Sequence, residues 1–355
     1  MTAIKLGVWG LGRIGFVHCV HFSHEQEMYE LVAGCDHEQH RVSKLVGEYQ
    51  CTGYSNAEEF LDTPDMELVI IATRSLDHTA HAVQALAAGK YVLLEKPVAV
   101  TDDDFQKLQK ADNEYPGKLF FLHNHRFEPA FQHIRKIIAS GVLGDIQSVK
   151  ICRHHPFRRR ADWQSLLNCG GGQLNCWGPH VIDHALQFIN APVKGLWSNL
   201  KRINTPGDAD DHVKIIIVGE NGIVVDLEIS DAVALSGAYC TVYGNRGSLI
   251  CPDENIIQLK YIDPEFKFSE IIANPNLPPL KGGYGNEENI PWVQKTIKVE
   301  PDTDVWAQVE IDIARHLYKA IRQNIPFPVA NADALEVVRI TGIVKKQNSQ
   351  FNWRQ

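Results

Sequence analysis

The chain has 355 residues, with 35 Lys and Arg against 43 Asp and Glu and a formal net charge of −8. Hydrophobic residues make up 44% and charged residues 22%, an ordinary balance for a globular protein with room for two domains. The densest basic block is Arg158-Arg159-Arg160, and no apolar run approaches the ~20 residues that a bilayer span needs, so neither nucleic acid nor membrane is an expected partner.

Met1 runs into the first strand within three residues, which leaves no room for a signal peptide and leads us to expect a cytoplasmic protein. That strand, 4–9, ends in Gly10-x-Gly12-x-x-Gly15, and Asp36 closes the next apolar run. Each glycine has a physical job. Gly10 permits the tight turn, Gly12 lets the backbone approach a pyrophosphate, and Gly15 lets the following helix pack closely on the sheet. The helix start offers unpaired N–H groups to phosphates. Asp36 can accept hydrogen bonds from both ribose hydroxyls and repels a 2′-phosphate, although His37 and Arg41 follow it. NAD is therefore expected in preference to NADP.

Through residue 122 the signals alternate. Apolar runs at 4–9, 30–35, 67–72, 91–94 and 118–122 read as strands, and 13–24, 38–47, 77–89 and 101–113 as helices. Gly89 stops the third helix, and Thr101 with three following Asp residues caps the fourth. Such alternation predicts a parallel sheet with right-handed crossovers. Glu95-Lys96-Pro97 follows the strand at 91–94, at the carboxyl end where open α/β sheets bind ligands. The bond before Pro97 is a candidate cis bond.

The pattern changes after 123. A helix at 127–140, a strand at 144–154 and a Gly-rich helix at 172–190 precede seven strand signals between 194 and 299. These predict a mostly antiparallel sheet in an α+β domain. Residues 273–292 form a long Pro/Gly/Asn loop of the kind that is usually functional or mobile. Helices at 304–323 and 331–347 finish the chain. The expected division is a Rossmann domain over 1–122 and an α+β domain over 123–355, whose final helices can pack back on the first. The eight cysteines show no CxxC pair, so neither zinc nor disulfides are expected.

Taken together, Gly10–Gly15, Asp36, Ala72-Thr73 with His78, Ala88–Pro97, His123–Phe127 and Gly170–Asp183 make the chain resemble the Gfo/Idh/MocA family from residue 3 to about 345. The resemblance implies a bound nicotinamide cofactor, sugar- or cyclitol-like substrates, and a dimer or tetramer formed through the open C-terminal sheet. It places Gly10, Gly12, Arg13, Ile14, Gly15, Asp36, His37, Thr73, His78, Glu95, Lys96 and Pro97 at the cofactor. It implies catalysis by Lys96 and His180. Cys176 stands where the family carries an Asp, and a thiol is too weak a hydrogen-bonding group to replace that carboxylate. Asp183, at i+3 from His180, either orients the imidazole or is structural.

His123, Asn124, His125 and Arg126 are either substrate ligands or an interdomain network. The expected substrate set is His123, Asn124, Arg126, His155, Cys176, Trp177, Asp183 and His184. Arg153, His154, His155 and Arg158–160 read as a solvated rim before an acid-sugar site. His212 after three Asp residues reads as a turn rather than a metal site. The leading expectation is an NAD-dependent dehydrogenase of a sugar, glycoside or cyclitol hydroxyl. The alternatives are a redox-cycling glycosidase or lyase, and a non-catalytic NAD-dependent sugar sensor.

Overall fold

The computed structural model describes residues 2–276, 278, 288–300 and 304–352, so half of the expected 273–292 loop lies outside the described residues. Six parallel strands, β1 (Ile4–Trp9), β2 (Tyr29–Cys35), β3 (Thr52–Tyr54), β4 (Leu68–Ile71), β5 (Tyr91–Leu94) and β6 (Leu119–Phe121), lie in the order β3-β2-β1-β4-β5-β6. Between them run α1 (Arg13–His24), α2 (Gln39–Tyr49), α3 (Ala57–Leu61), α4 (His78–Ala87) and α5 (Asp102–Glu114). β4 is buried at every position, as a strand covered by helices on both faces must be. The order reverses between β1 and β4, which opens a crevice at their carboxyl ends. Thr101 and Asp104 form the reciprocal capping box that starts α5.

β3 and α3 were not expected. β3 has three residues at the sheet edge, too few for an alternating pattern, while α3 starts at Asn56, whose side chain accepts from the N–H groups of Glu58 and Glu59. The helix expected over 172–190 is broken into α7 (Gln173–Cys176) and α8 (Gly178–Ile189). Pro179 has no N–H to continue the ladder, so the helix restarts there. The helix expected from 127 begins instead as a 3-10 turn, Asn124–Phe127, followed by α6 (Pro129–Ala139).

The second sheet has eight strands: β7 (Ile146–His154), β8 (Val193–Lys201), β9 (His212–Gly219), β10 (Val224–Ser230), β11 (Cys240–Gly244), β12 (Gly247–Cys251), β13 (Ile256–Ile262) and β14 (Trp292–Lys298). Their order is β14-β13-β12-β11-β7-β10-β9-β8, antiparallel except for β7 with β10. One register row, Ile217, Val225, Val149, Val242, Leu249 and Leu259, is buried beneath the helices. The adjacent row, running from Trp197 through Ile216 and Asp226 to Ile250, faces the other way, as the pleat requires.

α9 (Val305–Gln323) places Val309, Ile313 and Leu317 in the core of the first sheet. α10 (Asn331–Gln347) gives Ala334 and Leu335 to that core and Val337, Ile340 and Val344 to the second. The C-terminal helices thus tie the two sheets together. Among the described residues no helix is long and apolar enough to cross a membrane, and all eight cysteines are free.

Candidate active site

A cleft of about 910 Å³ runs from the end of β2, across the glycine turn, to the start of α8. At one end the turn behaves as the residue types demand. Gly10 has φ +96°, and a Cβ there would meet the Ala72 carbonyl at 2.6 Å. A Cβ on Gly15 would stand 1.8 Å from the Gly10 oxygen, so α1 can approach the turn only because Gly15 lacks one. Gly12 faces open space, and α1 starts there with no side-chain cap and no acid in its first turn. Its unpaired N–H groups and partial positive charge suit a pyrophosphate.

Asp36 is 5% exposed at the end of β2. Its carboxylate accepts from the Leu11 N–H (2.7 Å) and the Glu38 N–H (2.9 Å), and the Arg41 guanidinium lies 3.3 Å away. Arg13, Ile14, His37 and Thr73 share this wall with Gly10 and Gly12. These residues fit a dinucleotide: an open Cβ-free cradle, a bare helix start and a carboxylate fixed at ribose position.

The other end is built around the Glu95-Lys96-Pro97 turn, whose Lys96–Pro97 bond is cis. His78 braces it, with Nδ1 2.8 Å from the Pro97 carbonyl and Nε2 3.2 Å from that of Thr73. Lys96 Nζ donates to the Cys176 carbonyl at 3.1 Å, so the turn is docked on the opposite wall. That wall is shaped by Asn175, whose amide donates to the carbonyls of Gly170 and Gly171. His180 follows on α8, buried but lining the cleft, with Nδ1 free of any hydrogen bond. Burial, then the nearby His125, Lys96 and His123, hold its pKa well below the ordinary imidazole value. His180 is therefore a neutral acceptor at physiological pH. Among the described residues the Cys176 thiol has only Gln164 Oε1, at 4.0 Å, as a partner.

Of the expected substrate ligands, Asn124, Cys176 and Trp177 line the cleft, together with the expected catalytic His180. Five others stand behind it. Arg126 and Asp183 form a buried bidentate pair (2.6 and 2.7 Å), so Asp183 holds Arg126 rather than orienting His180. His184 stacks on Phe131 at 3.8 Å and contacts Tyr239 Oη. His155 faces Asp231, 3.0 Å away, and His123 is buried with neither ring nitrogen hydrogen-bonded. Gly15 likewise underlies the cofactor turn without lining the cleft. The rim expectation fails for Arg158 and Arg160, which line the cleft beside Trp163 and Gln164. Arg153 is drawn inward too, over the Trp177 ring at 4.6 Å and paired with Glu254. Trp9, Arg41 and Trp306 also line the cleft and went unassigned. Arg41 carried a sequence signal, five residues after Asp36, whereas Trp306 enters from α9 with none.

Fold and site together define a dinucleotide-binding α/β protein with a second, sheet-based domain. Residues 4–123 match the family model described as oxidoreductase family, NAD-binding Rossmann fold, and residues 131–250 match the GFO/IDH/MocA C-terminal domain. The chain belongs to the Gfo/Idh/MocA family of oxidoreductases. An uncharacterized oxidoreductase of Synechocystis is 27% identical over 57% of this chain and 59% of its own length. The scyllo-inositol 2-dehydrogenase (NADP(+)) IolW of Bacillus subtilis is 25% identical over 80% of this chain and 77% of its own length. Among solved structures, levoglucosan dehydrogenase in complex with NADH and L-sorbose superposes with a TM-score of 0.80 at 19% identity, covering 99% of this chain and 98% of that one.

Proposed function

We propose that this protein is an NAD-dependent oxidoreductase that moves hydride between the nicotinamide and a hydroxyl of a sugar, glycoside or cyclitol. The observation that carries this reading is the meeting of Lys96 and His180 in one cleft whose far end holds the glycine cradle and Asp36. Relatives with inositol and levoglucosan in their names support the substrate class. NAD supplies the hydride acceptor when bound. Neutral His180 takes the hydroxyl proton as the C–H bond breaks. Lys96, anchored on the Cys176 carbonyl, steadies the oxygen that becomes a carbonyl. Trp177 and Trp163 offer flat apolar faces to a ring, and Asn124 offers donors and acceptors for hydroxyls.

Asp36 favours NAD over NADP because its fixed carboxylate repels a 2′-phosphate. We take 1–122 as the cofactor domain and 123–355 as the substrate domain, with the open sheet face as the surface of a cytoplasmic homo-oligomer. The test is a screen of cyclitols and sugars with NAD⁺, following NADH and product mass together. NADH with a ketone product supports the reading. A product lacking water or an aglycone, without NADH, assigns redox cycling instead. Binding of sugar and cofactor with no reaction assigns a sensor.

A further inference from the structure

Three buried ionisable groups directly behind the Lys96 turn are not used by the chemistry above. His18, one and a half turns into α1, is fully buried. Its Nε2 lies 2.9 Å from Glu95 Oε1, and its Nδ1 lies 2.9 Å from Glu310 Oε2 on α9. Glu95 Oε2 accepts the backbone N–H of Lys96 at 3.0 Å, and Glu95 lines the cleft. Glu310 is 0% exposed, and its Oε1 has no hydrogen-bond partner. A carboxylate from the last third of the chain is thus connected through one imidazole to the loop that carries Lys96.

We propose that Glu310 and His18 are positioning residues for the nicotinamide end of the site: they fix Glu95 behind Lys96 and set the local charge that discriminates the cationic oxidised ring from the neutral reduced one. The inference rests on the reading that Lys96 borders the nicotinamide. Burial alone would lower the pKa of His18, but the two carboxylates outweigh it and push it up to about 10, so the imidazole is a cation. Glu310 and Glu95 then carry two negative charges against the two positive charges of His18 and Lys96. The set is neutral, and a cationic ring is not opposed. The other groups facing it are His78 near Glu95 and His21 near Glu310, with Asp304 beside His21; burial is the largest cause lowering the pKa of both histidines, which favours their neutral forms.

The two isosteric variants move this charge in opposite directions. Glu310→Gln leaves His18 with one carboxylate and the set one positive charge in excess. NAD⁺ should weaken relative to NADH by about threefold to tenfold near pH 6. The ratio should recover as pH rises, because His18 then loses its proton in the working range. His18→Gln removes the cation, and NAD⁺ should strengthen relative to NADH by a similar factor at about pH 8. The experiment is calorimetric titration of wild type and both variants with NAD⁺ and with NADH at several pH values. Opposite shifts in the affinity ratio support the proposal; equal changes for both nucleotides, or none, overturn it. If one variant fails to fold, the sign of the other still decides. Wild-type protein that binds neither nucleotide instead defeats the cofactor reading itself.

Discussion

At the scale of single residues, the proposed chemistry rests on Lys96 and His180. Replacing Lys96 by Met should lower turnover by about a hundredfold or more while nucleotide affinity stays within about threefold, since a positioned charge or proton-transfer group contributes on this scale. His180→Ala should lose as much. Cys176→Ala should keep about a tenth or more of wild-type turnover, because the residue holds Lys96 through its backbone carbonyl and not through the thiol. Steady-state assays of the three variants on one substrate decide this; a Cys176 variant as inactive as the His180 one gives the thiol a direct role. The depressed pKa of His180 also fixes the pH profile. The acid limb of kcat/KM should fall below the ordinary imidazole value of about 6.5, since His180 binds its proton only at lower pH. A limb at or above that value removes His180 from the role of acceptor. The glycine turn and Asp36 were legible because they sit in a contiguous stretch with its own chemistry. The roles expected of Lys96 and His180 came instead through the family resemblance, since motif chemistry alone did not single them out; the cleft brings both together. The Arg126–Asp183 pair was not legible: its members are 57 positions apart, and helix spacing makes Asp183 look aimed at His180.

Elements place these residues. The cofactor turn works because α1 starts bare over Gly12 and packs against Gly10 through Gly15. Gly15→Ala should lower the thermal midpoint by several degrees, because the methyl group would occupy the space of the Gly10 oxygen; an unchanged melting curve contradicts the packing described. The end of β2 is where the proposal puts nucleotide choice. NAD⁺ should bind about tenfold or more tightly than NADP⁺, and Asp36→Ala should narrow the gap, because it removes both the ribose acceptor and the repulsion. Equal affinities measured by calorimetry would transfer the choice to Arg41, which already touches Asp36. The parallel strands were readable as apolar runs and the capping box at Thr101 as a local signal. The break between α7 and α8 was missed because its flanks both read as helix, although Pro179 is the cause. β3 was missed because three residues carry no period.

Across the whole molecule, the cleft lies between the carboxyl ends of the first sheet and the 158–180 segment with α7 and α8, and α9 and α10 join the cores of the two sheets. Packing of the final helices back on the first domain was expected; which side chains it delivers was not legible, and these are Trp306 to the cleft and Glu310 to His18. The open face of the second sheet exposes Trp197 at 55% and Trp292 at 47%. The proposed homo-oligomer uses this face, so Trp197→Glu should give smaller species than wild type in sedimentation velocity while leaving the melting curve cooperative; a wild-type monomer contradicts this use of the face. The central claim is that Lys96 and His180 oxidise a ring hydroxyl with a pyridine nucleotide bound across the switch point. Its most direct test is substrate-dependent NADH formation over a panel of cyclitols and hexoses, run on wild type and Lys96→Met side by side with product mass recorded. The account predicts NADH and a product two hydrogens lighter for at least one compound in wild type, and near-complete loss in the variant despite retained cofactor binding. A product formed without NADH, or a Lys96→Met variant as active as wild type, contradicts it.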